Sequence, residues 1–327
     1  MTTAGPVARS IAGTYLFGLE STYESAVSAT KDIGLVQTFS QDADHDFSER
    51  IGQGQAKSIY VKAGQVTPKG NIEIEIQHGR PLEWAIFGGT TTHSTTSNDV
   101  VHTFVYANAL PSLTCEYGYK ASSGATDFTN VATGLVFGNS TVSLDVKGVL
   151  KMRSDFVAQN LNFSGTTVPA AVVDTDVPLG GFEGSVSIGS ATAGYVQNWE
   201  WGVNRNAKVM AQQGSRMPAY GASHQMNITW KATIGLDVAN AAAFLSHVTG
   251  SSNSITSSAP ADYAVILGAS NGVTLGSGLR AFSLTLNQNQ CKYTLNANMG
   301  DFVTYDLNGS GTLGACTYTD AIASASW

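Results

Sequence analysis

Along most of the chain, apolar and polar residues alternate one by one instead of recurring every three or four. That is the pattern of strands with one buried and one solvated face. It occurs at residues 58–62, 71–77, 100–107, 112–119, 141–147, 186–188, 225–233, 282–288, 292–295 and 303–307. These segments are short and bounded by Gly, Asn, Asp or Ser, the punctuation of sandwiches and barrels. Helical spacing is found twice. Residues 81–87 open with Pro81 in a first-turn position and stop at Gly88 and Gly89; residues 238–248 place Ala, Phe and Leu on one face and stop before Gly250.

The order of these elements is written twice. The first passage has Asp46, Phe47, Ser48, Glu49 and Arg50, then Gly52 and Gly54, then Ala63 and Gly64. It continues through the alternating Ile72, Glu73, Ile74, Glu75 and Ile76, the helical patch, and a polar run at residues 89–98. The second has Gly202 to Arg205, then Gly214, Tyr220 and Gly221, the alternating stretch from Met226 to Trp230, the second helical patch, and a polar run at residues 249–258. On this alignment Trp230 matches Ile76. Farther on, residues 134–146 match a copy beginning at Gly278, and residues 154–157 match residues 300–303. The duplication predicts a mainly β protein of two tandem β-sandwich or barrel domains, each with one short α-helix. The domains are expected at residues 1–165 and 166–327, divided near Gly165 in a stretch containing Pro169 and Pro178.

Composition supports a turn-rich β protein. Only 13% of the 327 residues are charged, 35 are Gly, and the 43% hydrophobic content suffices for two cores. A formal charge of −7 argues against gripping nucleic acid, because phosphate contacts need clustered Lys and Arg. Cys115, Cys291 and Cys316 have no metal-type spacing and read as free thiols. The chain has no run approaching about 18 apolar residues, and its start shows no basic segment followed by an apolar one. No membrane partner is expected, and the reading is of a soluble product assembled inside a cell. The sequons at Asn139, Asn162, Asn227 and Asn308 then carry no sugar.

Four places in the sequence invite a chemical reading. Asp42, Asp44 and Asp46 open like a calcium loop, yet Phe47 stands where the tight turn wants glycine and Gln53 where a bidentate glutamate belongs. Residues 52–58 resemble a phosphate loop but lack glycine directly before Lys57 and a long helix after it. The six histidines (His45, His78, His93, His102, His224 and His247) show no ligand or catalytic spacing. Trp199, Trp201 and Trp230 suit core or interface packing better than a sugar platform. Catalytic, cofactor-binding and metal-binding residues are therefore all expected to be absent. Glu73 and Glu75 alternate with isoleucines, so one strand face is apolar while the other carries closely spaced negative charge.

Taken together, the pattern resembles the major tail tube proteins of tailed bacterial and archaeal viruses, particularly those with two tube domains in tandem. The likeness is carried by Gly13, Thr14 and Tyr15, by residues 18–23, and by residues 47–54 followed by Ala63 and Gly64. It is carried further by Gly70 leading into the alternating strand and short helix, and by residues 134–146 with their copy at Gly278. The resemblance implies a sandwich flanked by a helix, with one sheet contributing to a barrel around a lumen and long loops docking on the next ring. It implies rings of three chains with pseudo-sixfold symmetry, located in the virion tail after assembly in the host cytoplasm. Implied partners are further copies of the chain, a tape measure protein, and tail terminator or baseplate proteins. Viral DNA would pass through the lumen without specific binding.

Glu73 and Glu75, with Asn227 and Thr229 in the second half, are then expected to face the lumen. Gly89, Thr92, Ser94 and Asn98, with Ser251, Asn253 and Ser257, are expected in loops between rings. A head decoration or fibre protein, or a carbohydrate-binding β module, are the alternative readings.

Overall fold

A computed structural model describes residues 8–51, 58–89, 92–121, 128–163, 176–189, 191–222, 226–235, 262–297 and 303–321, with isolated positions 170, 242, 246, 247, 249 and 257. The first half contains β1 (Ala8–Leu19), β2 (Leu35–Ile51), β3 (Ser58–Glu75), β4 (Thr92–Thr96), β5 (Asp99–Phe104), β6 (Leu113–Ala121), β7 (Phe128–Asp145), β8 (Lys151–Val157) and β9 (Asn160–Phe163). The second contains β10 (Gly184–Ile188), β11 (Ala191–Thr192), β12 (Val196–Asn204), β13 (Lys208–Met210), β14 (Tyr220–Ala222), β15 (Asn227–Gly235), β16 (Tyr263–Ser270), β17 (Ala281–Asn296) and β18 (Thr304–Asp320). The fold is mainly β, and each alternating segment of the sequence falls largely on a strand. Alternation does not mark β2, because among the described residues its outer half pairs only with β3 and projects as an arm on which Asp46, Phe47, Ser48 and Glu49 are all exposed.

The main sheet is antiparallel and repeats its own order. Strands run β2-β3-β8-β7 in the first half and β12-β15-β18-β17 in the second, joined where β7 pairs with β12. The ladders repeat in detail. Register shifts between Val36 and Thr38 on β2, and at the matching place between Val196 and Asn198 on β12. Lys69 to Glu75 of β3 lie opposite Val157 to Lys151, as Thr229 to Gly235 of β15 lie opposite Ser310 to Thr304.

This register corrects the alignment read from sequence. Trp230 stands level with Gly70 instead of Ile76, and Thr141 is level with Thr294, beyond the Phe282 segment it was matched to. The physical reason for the first slip is that an even shift preserves alternation, so only the hydrogen-bond ladder distinguishes the two registers.

A second layer covers the apolar face. The first part of β7 pairs with β6 and β9, and β6 pairs with β1; likewise the first part of β17 pairs with β16, and β16 with β10. Long strands β7 and β17 thus serve both layers. Between the layers runs one contiguous core that includes Phe17, Ile72, Ile74, Phe137, Phe156, Trp199, Trp201 and Trp230.

The expected first helix is present as α1 (Arg80–Leu82) continued by a wider π-helical turn, Glu83–Phe87, with Leu82, Trp84, Ala85, Ile86 and Phe87 buried. It stops at Gly88, whose φ of 67° is the left-handed conformation that glycine adopts without steric cost. The expected helix at residues 238–248 lies outside the described residues, apart from Ala242, Ser246 and His247, which are helical. The proposed domain boundary at Gly165 and the phosphate-loop-like residues 52–57 also lie outside them.

Two expected loops are strands. Residues 42–46 belong to β2, so their extended backbone does not wrap an ion. Thr92 and Ser94 belong to β4, and Asn98 sits in the turn to β5. That hairpin pairs through β5 with the end of β18, from Cys316 opposite Phe104 to Asp320 opposite Val100. Thr and Ser on the outer strand are solvated on β4 and need no core of their own.

Candidate functional site

The feature that remains unexplained by core packing is the polar face of the main sheet, together with its two ends. Because side chains alternate, residues at every second position turn to this face while Ile72, Ile74, Val142, Met152, Trp201, Ile228 and Ile234 are buried on the other. Glu73 and Glu75 stand on β3, and Asn227 and Thr229 on β15, all four on the same face. They are not level with each other. Glu73 corresponds to Thr233 and Glu75 to Gly235, whereas Thr229 is level with Lys69.

Cross-strand pairs balance the charges. Glu73 Oε1 lies 3.6 Å from Lys151 Nζ and is directly opposite Arg153. Glu200 Oε2 lies 2.9 Å from Lys231 Nζ. Asp306 accepts a hydrogen bond from Thr233 Oγ1 at 2.8 Å, and Asp155 accepts from the Asn139 side chain at 2.7 Å. Exposed pairs of this kind each stabilise by at most about 1 kcal/mol. They set opposite charges side by side on this face. Among the described residues, no three His, Cys, Asp or Glu side chains converge as a metal site.

Among the described residues, the main sheet ends in two open edges: β2 pairs only with β3, and residues 290–296 of β17 pair only with β18. An unpaired edge offers a row of backbone donors and acceptors to another strand.

The remaining candidates resolve as packing. Trp199, Trp201 and Trp230 are 1%, 0% and 2% exposed, so they present no platform to a sugar. Cys115 and Cys316 are buried free thiols, with burial pushing both up from the usual thiol range. Gly89 lies partly buried beside the helix, and Ser257 is an exposed bend; Ser251 and Asn253 lie outside the described residues.

The fold gathers histidines that sequence spacing leaves scattered. His102 Nε2 lies 2.8 Å from Asp320 Oδ1 with both side chains fully buried, and His93 Nδ1 lies 2.6 Å from His102 Nδ1. Burial, then the neighbouring His102, pushes His93 below the ordinary imidazole range. Next to this chain, Asp320 Oδ2 accepts from the Gly79 N–H at 3.1 Å, and Asp32 bridges His78 at 3.0 Å and Arg80 at 2.8 Å. Burial alone would raise the Asp32 carboxyl. The His78 hydrogen bond and the positive charges of His78 and Arg80 outweigh it and hold the group at about 2. These groups anchor the helix start to the segment just before β2 and to the end of β18, and no signal local to the sequence links them.

The chain matches no protein-family model and no curated protein at a significant level.

Proposed function

We propose that this chain is a structural subunit of a viral tail tube, built of two tandem tube domains and closing with two further copies into a ring. The observation that carries the reading is the β7·β12 joint: two four-strand runs of one order are joined head to tail, and both outer ends of the joined run are unpaired among the described residues. A head-to-tail contact repeated by a rotation that completes a full turn closes into a ring. Closing it removes the open edges that would otherwise recruit strands without control.

The polar face supports the same reading. Lined up around a bore, its paired carboxylates and ammonium groups would present no continuous basic track, and the chain as a whole carries −7. DNA slides best past a wall that does not release its counterions. The proposed partners are other copies of the chain, a tape measure protein filling the lumen during assembly, and terminator or baseplate proteins at the tube ends. The proposed place is the virion tail, and no chemical step is assigned. The buried tryptophans count against the carbohydrate-binding alternative.

Negative-stain images and native mass spectra of the purified protein test this. The expected result is stacked rings with three chains each. Six chains per ring would end the tandem-domain argument, and spikes without rings would favour a fibre or decoration protein.

A further inference from the structure

The joint inside the chain has a defined register. At β7·β12, Ser143 lies opposite Glu200, Val142 opposite Trp201, and Thr141 opposite Gly202. The ladders make β17 the equivalent of β7: Asn296 and Thr294 face Thr304 and Asp306, as Ser143 and Thr141 face Lys151 and Arg153. The shared bulge makes β2 the equivalent of β12, with Ser40 and Asp42 in the places of Glu200 and Gly202.

We infer that the β17 edge of one copy pairs antiparallel with the β2 edge of a second copy, with Asn296 opposite Ser40, Leu295 opposite Gln41, Thr294 opposite Asp42 and Lys292 opposite position 44. This rests on the self-assembly proposed above and adds to it the edges and the register.

Two independent observations select a second copy as the occupant. The first is burial. Val142 and Ser140 are 0% and 1% exposed inside the internal joint, whereas their equivalents Leu295 and Tyr293, on the same apolar face, are 50% and 39% exposed. A strand laid along β17 in the internal register would cover them as β12 covers Val142 and Ser140.

The second is charge. Lys292 is exposed on the β17 edge and Asp42 on the β2 edge, and neither makes an ion pair among the described residues. The transferred register sets them diagonally across the new ladder, within reach of a long side chain.

The two joints differ in content. Trp201 and Glu200 at the internal one are replaced by Gln41 and Ser40 at the outer one. The outer joint therefore has less apolar area to bury and depends more on backbone pairing and charge. Assembly between chains is accordingly reversible and weakened by salt, while the internal joint persists.

The test is disulfide trapping in the full-length protein. Residues directly opposite on antiparallel strands have Cα atoms about 4.5–5.5 Å apart, inside the disulfide range. The variant carrying Ser40→Cys and Asn296→Cys should, on oxidation, give an interchain 40–296 disulfide by peptide mass spectrometry and covalent species of up to three chains. The slipped pair, Asp42→Cys with Asn296→Cys, should link at least tenfold less. An equimolar mixture of the two single variants should stop at a covalent dimer, which guards against misfolding of the double variant.

Rings without a 40–296 link, or with preferential linking of the slipped pair, would overturn the register and leave the ring reading standing. Wild-type protein that forms no rings, together with unlinked variants, would overturn both.

Discussion

Arg205, just beyond β12, donates its Nε proton to the carbonyl oxygen of Ile86 across 3.0 Å. Its other nitrogens reach the carbonyls of Ala107 at 2.9 Å and Phe87 at 3.0 Å, and its Cζ lies 4.4 Å from the Tyr106 ring centroid. The side chain is fully buried. A residue of the second half thereby satisfies the carbonyls at the end of the first half's helix, where a positive charge is favoured by the helix dipole.

Arg205→Met keeps the volume but leaves those carbonyls without their donor. It should lower stability by on the order of 3 kcal/mol. In urea unfolding, the midpoint should fall while the slope stays constant. A midpoint equal to wild type would show that the guanidinium contributes nothing.

Acid should release the Asp32 anchor. Its folded pKa of about 2 lies below the unfolded value of about 3.9, so the stability it supplies is fully present above pH 4. It is lost as pH falls from about 4 towards 2, a loss on the order of 2 kcal/mol. Asp32→Asn should be less stable than wild type at pH 6 and should show a shallower decline across that interval. Parallel curves for the two proteins would assign acid sensitivity to other groups.

Replacing both Glu73 and Glu75 by lysine tests the proposal that this face lines a lumen. Both are partly exposed, so folding should change by about 1 kcal/mol or less, and rings should still form. In the proposed tube, the added positive charge beside Lys151 and Arg153 would hold DNA phosphates and slow ejection. Normal tails with unchanged infectivity would place this face away from DNA.

Hydrogen exchange separates the two strands of the β4–β5 hairpin. β5 lies between β4 and β18 and should exchange slowly even in the free subunit, whereas the outer edge of β4 should exchange quickly. Protection of β4 on tube formation is expected if the hairpin touches a neighbouring copy. Identical β4 exchange in subunit and tube would remove it from every interface.

The sequence by itself determined the mainly β class, the positions of most strands, and the helix ending at Gly88. These follow from local rules: strand alternation has a period of two, and a left-handed stop favours glycine. It also carried the duplication as an order of elements. Tertiary structure decided the register of that duplication, since sliding Trp230 from Gly70 to Ile76 preserves alternation and only paired backbone groups distinguish the two. It also decided the partners of Arg205, Asp32 and His102. Ile86, His78 and Asp320 lie far from them along the chain, and no periodicity in a single sequence records a contact that only folding brings within 3.0 Å.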